Sequence, residues 1–106
     1  MTSERFVAEL EVDFVHASGE RVPGRIAVGA PVEDDRSWAC AVEVGRHGPR
    51  PIYGTDGMQA LLLAIQVIGF ELHTFRERGG RIVEPGTNND LPLHAYFGPL
   101  LRASDA

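Results

Sequence analysis

Four histidines, one cysteine, one tryptophan and a run of three acids are the residues of this chain best placed to do chemistry. Their spacing decides which chemistry is open to them. His16, His47, His73 and His94 fall in four separate segments, never at the i, i+4 interval that puts two metal ligands on one helix face. No metal site is expected. Cys40 alternates with Trp38 and Val42, which places its thiol on the apolar side of a strand, where a thiol is inert, and not beside a base. No serine sits in a G-x-S-x-G elbow, and the glycines form neither G-x-G-x-x-G nor a Walker loop. The chain therefore reads as having no catalytic residues and no cofactor.

Binding is the chemistry that remains. Glu33, Asp34 and Asp35 could hold a hard cation or meet a basic protein partner, and equally they could be a solvated connection. Trp38, Tyr53, His94 and Tyr96 are candidates to line a pocket between a helix and the C-terminal segment. Gly54-Thr55-Asp56-Gly57 resembles an anion loop at a helix start, but Asp56 would repel an anion and serves better as the helix cap.

These residues have to be positioned by strands and one helix. Between Arg5 and His16, Phe6, Ala8, Leu10, Val12 and Phe14 alternate with Arg5, Val7, Glu9, Glu11 and Asp13, the period of a half-buried strand. Val22, Ile26, Val28 and Ala30 mark a second strand over Arg21 to Ala30. Residues opposite each other in an antiparallel pair share a face, so both even-numbered apolar sets must meet. A three-residue loop, Ala17-Ser18-Gly19, pairs Phe14 with Val22 and Leu10 with Ile26, and sets Glu11 opposite Arg25 on the wet face. Pro31 to Ser37 reads as a polar connection. Trp38, Cys40, Val42 and Val44 then form a third strand, and Ile52-Tyr53 a short fourth paired back on it.

The helix spans Gly57 to Arg78, with Asp56 and Gln59 spaced as a capping box and Gly79-Gly80 as its stop. Leu61, Ala64, Ile65, Ile68, Leu72 and Phe75 form the stripe for the sheet. Leu62, Leu63, Val67 and Phe70 extend the apolar surface beyond it, so a second cover is needed. The segment Leu91 to Leu101 can supply that cover by folding back, or a second copy can supply it through Leu63, Val67 and Phe70. Gly69, costly in mid-helix by about 1 kcal/mol relative to Ala, marks the close approach of another backbone. The fold class is α+β: a three- to four-stranded antiparallel sheet packed on one long helix, with a C-terminal segment folding back. The 106 residues make one domain.

A net charge of −5 excludes non-specific nucleic-acid binding, which needs cations to neutralise phosphates. All basic residues are Arg and none is Lys, as a GC-rich coding bias would produce. The longest apolar run, Ala60 to Phe70, is too short for the ~20 residues of a membrane span, and no signal peptide opens the chain. With a lone cysteine this points to a reducing, cytoplasmic compartment.

Trp38-Ala39-Cys40, together with Gly54-Thr55-Asp56-Gly57-Met58-Gln59-Ala60-Leu61-Leu62-Leu63-Ala64, resembles a bacterial family of unknown function with W-x-C and G-x-D-x-x-Q-A-L-x-L-A patterns. The stretch Ile26 to Pro31 resembles its I-G-A-P segment, so the likeness runs from about Phe6 to Leu72. It implies a small bacterial protein and brings no activity, cofactor or site residue. Three functions stay open: a non-enzymatic protein-interaction module, with an immunity- or antitoxin-like role toward a basic protein as one version; a small-molecule binder or enzyme; and a structural homodimer.

Overall fold

The structure is a computed structural model that describes residues 6–45 and 47–98. Its elements run β1 (Phe6–Val15), β2 (Arg21–Gly29), β3 (Val32–Asp34), β4 (Ser37–Val44), β5 (His47–Gly54), α1 (Gly57–Glu77) and β6 (Arg81–Val83). The antiparallel sheet therefore has six strands where three or four were expected. Both β2 and β3 lie on the same edge of β4, because β5 occupies the other edge along its whole length. Between them, at Ala30-Pro31, the register shifts by one residue: Val28 pairs with Val42 but Val32 with Ala39. The expected loop from Pro31 to Ser37 is thus a bent continuation of β2, turning at Asp35, whose φ is 59°. In space the order is β6, β1, β2 with β3, β4, β5.

The parity argument for the first hairpin holds. Phe14 faces Val22, Leu10 faces Ile26 and Glu11 faces Arg25. The His16 N–H donates to the Glu20 carbonyl at 2.8 Å, and Gly19 takes a φ of 97°, the left-handed turn residue the loop demands. Two details differ. The Arg25 guanidinium is bound not by Glu11 but by Glu9 at 2.8 Å and Glu43 at 3.1 Å. These two are the cross-strand neighbours of Ala27, so the bridge spans that strand, and Ala27, on the face expected to be wet, is 1% exposed. A bulge between Phe6 and Ala8 then pairs Phe6 with Gly29 and turns its ring to the same face, where Arg25 lies 4.9 Å over it. Arg5 lies outside the described residues.

Strand β5 is longer than the Ile52-Tyr53 pair expected of it and carries Pro49 and Pro51. Proline offers no donor, so it fits a strand paired on one side only and denies a further strand its partner groups.

Helix α1 crosses from β5 to β6 over the even face of the sheet. Asp56 Oδ1 accepts from the Gln59 N–H at 2.8 Å, and the Gln59 side-chain Oε1 returns to Thr55, accepting from its N–H at 2.8 Å, one residue earlier than a capping box would. At the other end, Gly79 and Gly80 N–H groups close on the Arg76 and Phe75 carbonyls. By length and composition alone α1 could cross a membrane, but its inner stripe, Ala60, Ala64, Ile68 and Leu72, is packed into the core against Val12, Val42 and Cys40. The helix start is seated tightly: a Cβ at Gly54 would lie 2.5 Å from the Ala60 nitrogen.

The C-terminal segment folds back along one flank of α1. Leu91 and Leu93 are buried, residues 93–98 form a short helix, and the Phe97 ring rests on Gly69, 3.1 Å from where its Cβ would be. The mid-helix glycine therefore admits a ring and not another backbone. Leu100 and Leu101 lie outside the described residues. The overall thickness is 19 Å, room for a sheet and one helical layer, each about 10 Å deep. Among the described residues, the other face of the sheet carries no layer.

Candidate functional site

On the flank of α1 away from Phe97, beside the second half of the helix, lies an open groove of about 650 Å³. Three pieces of chain meet there: the tip of the β1–β2 hairpin, the turn between β4 and β5, and the last three turns of α1. The floor is apolar, with Phe14, Val22 and Val44 from the sheet and Phe75 from the helix. Phe14 and Phe75 meet edge to face, ring centroids 5.4 Å apart, and the His16 ring packs on Phe75 at 5.2 Å. Phe70 forms the outer lip and is 69% exposed.

The groove follows from small residues at fixed points. A Cβ at Gly24 would sit 2.8 Å from the Phe14 ring, and one at Gly80 would sit 2.4 Å from the Phe75 ring. Both rings can sit where they do because those two positions carry no side chain. Gly45, with a φ of 69°, turns the chain beside Phe14 in the same way.

The rim is polar. Arg50 of β5 and Glu71 of α1 form an ion pair across the groove, and Thr74 and Arg78 follow along the helix. Arg78 has no ion pair among the described residues. With Arg50 paired to Glu71, the guanidinium of Arg78 is the uncompensated charge among the described residues of the groove, in a chain whose net charge is −5. The arrangement suits binding: its one carboxylate is committed to a guanidinium, and its imidazole is packed against a ring.

Apart from Phe70, the residues singled out from sequence as a binding site or partner contact lie outside the groove lining, and they do not converge. Trp38 is on the helix side of the sheet, its ring 3.4 Å from the Cβ position of Gly57, whereas Tyr53, paired with Ala39, lies on the opposite face and is 52% exposed. His94 and Tyr96 sit on the short C-terminal helix, both exposed, with Tyr96 tilted against Phe97 at 6.4 Å. A single pocket lined by these four residues is therefore not formed; strand alternation alone separates the first two. Glu33, Asp34 and Asp35 are together and exposed on the β3–β4 hairpin. Leu63, Val67 and Phe70 lie on the groove flank of α1, with Val67 packed against the core. His16 pairs with Glu20 through the backbone of the hairpin, and its ring packs on Phe75. His73 lies on the polar side of the helix, 3.3 Å from Glu77. Cys40 is fully buried, its Sγ 3.1 Å from the Gly29 carbonyl, and burial pushes its thiol pKa up. Among the described residues no three His, Cys, Asp or Glu side chains gather in a metal-binding group.

Of the groove residues, Phe14, Val22, Val44 and Phe75 read in the sequence as core-facing positions, and Phe70 as apolar surface beyond what one sheet can cover. Arg50, Glu71, Thr74 and Arg78 read as ordinary surface residues until the fold brings them together. No curated protein and no solved structure matches the chain. Residues 10–93 match the model of the family described as Domain of unknown function (DUF6968), and the chain belongs to that family.

Proposed function

We propose that this protein is a non-enzymatic binding module whose binding surface is the groove beneath the second half of α1. The observation that carries this reading is a preformed aromatic floor, Phe14 and Phe75, beside a phenylalanine left in water at position 70. The volume of about 650 Å³ is within the usual range of roughly 300–1,000 Å³ for ligand sites. Strand addition is the less suitable mode, because Pro49 and Pro51 blunt the β5 edge. Phe70 is exposed enough to be replaced without loss of the core, so Phe70→Ala serves as a groove-impaired variant. A thermal-shift screen of metabolites and short peptides should yield ligands that stabilise the wild type and not Phe70→Ala. If every hit stabilises both proteins equally, the groove is not the binding surface.

A second reading, recognition of a basic protein, is favoured by Glu33, Asp34 and Asp35 all being exposed on one hairpin, with no ion pair to any of the three among the described residues. It predicts a basic partner that copurifies with the wild type and is lost when the three are changed to Gln, Asn and Asn. Homodimerisation through Leu63, Val67 and Phe70 would occupy the groove flank itself, and light scattering at micromolar concentration distinguishes it: a strict monomer discards it.

A further inference from the structure

We propose that the groove takes an amphipathic monocarboxylate: a small molecule with one carboxylate and an aromatic or aliphatic body. This rests on the groove being the binding surface and names the chemistry of its ligand. Phe14, Phe70 and Phe75 offer ring faces and edges to an apolar body, which gains by leaving water. At the rim, Arg50 is satisfied by Glu71, and Arg78 is not paired among the described residues. A planar guanidinium with free donors matches the two oxygens of a carboxylate. Glu71, fixed in the same groove, repels a second negative charge, which argues for a monoanion over a phosphate monoester. A cationic ligand would meet the Arg78 guanidinium, with no free carboxylate among the described groove residues to receive it. The charge of the groove is thus opposite in sign to that of the whole chain, the complementarity that selects an anion.

The test uses 2-naphthylacetate and its neutral isostere 2-naphthylacetamide, titrated into the full-length protein while backbone amide resonances are followed by NMR. Both probes should shift Gly45, Thr74, Phe75 and Arg78, and the acid should bind about fivefold tighter than the amide, the effect of a charge-assisted hydrogen bond weakened by partial exposure. Arg78→Gln, at an exposed helix-end position, should remove that preference while leaving amide binding unchanged, and Arg36→Gln, at the β3–β4 turn, should leave both affinities as they are. Equal binding of acid and amide to the wild type overturns the carboxylate assignment and leaves the groove standing as a binding surface. Failure of both probes to move any groove resonance at millimolar concentration overturns the assignment and the reading beneath it.

Discussion

Asp13 shows how a residue's role can be hidden from the alternation of its strand. Its parity places it on the wet face, yet it is 7% exposed, because the loop after β6 folds over it and the Gly86 N–H donates to its Oδ2 at 3.0 Å. Arg21 completes the site, donating from Nε to the same oxygen at 2.8 Å and from its other arm to the Thr87 carbonyl. The Gly86 amide first, and the Arg21 guanidinium second, hold the Asp13 carboxyl below the usual carboxylate range. A lowered folded-state pKa means that the stabilisation is complete above the unfolded value of about 3.9 and is lost as pH falls through the folded value. Asp13→Asn should therefore lower the urea midpoint at neutral pH, and the gap to wild type should narrow below about pH 4. A gap of constant size down to pH 2 would show that the charge of Asp13 has no part in holding the loop. Nothing in the sequence marks this contact, since Asp13 and Gly86 lie far apart in the chain and meet only through β6.

At the scale of elements, legibility tracks pattern length. The ten residues of β1 and nine of β2 alternate long enough to fix not only the strands but their register, because one wrong step would have set Val12 against Arg25. Helix α1 was equally clear from its cap, its stop and its stripe. Strands β3 and β6, at three residues each, are too short to show any period and exist because β4 and β1 offer them edges. The fit between helix and sheet also depends on a residue that carries no pattern. Gly54, the last residue of β5, lets the backbone of Ala60 approach, and a methyl group there would meet the Ala60 nitrogen at 2.5 Å and its Cα at 2.8 Å. Gly54→Ala should force the helix away from the sheet at a cost of roughly 1–3 kcal/mol, read as a lowered midpoint in chemical denaturation. An unchanged midpoint would mean that the helix is seated less closely than described.

For the whole molecule, one helix cannot cover both its own flanks. The C-terminal return covers one, with Leu93 at 1% exposure within the same core cluster as Val12, Val42 and Leu72. Leu93→Ala should accordingly cost about 2–5 kcal/mol, as for any large aliphatic side chain removed from a core, and unfolding should stay a single transition. A loss below about 1 kcal/mol, the scale of surface substitutions, would show the return to be an appendage. Excess apolar residues on the helix announced that a cover was needed, and the segment that supplies it was legible; the shape left uncovered was not. The groove arises where a hairpin tip, a turn and a helix end converge, and its walls are set by Gly24 and Gly80, whose meaning appears only against Phe14 and Phe75. The most direct test of that groove as the binding surface is the set of intermolecular NOEs from bound 2-naphthylacetate. Contacts to the ring protons of Phe14, Phe70 and Phe75 are the predicted result. Contacts to Trp38, Tyr53 or Tyr96 in place of these would contradict it and move the site to another part of the molecule.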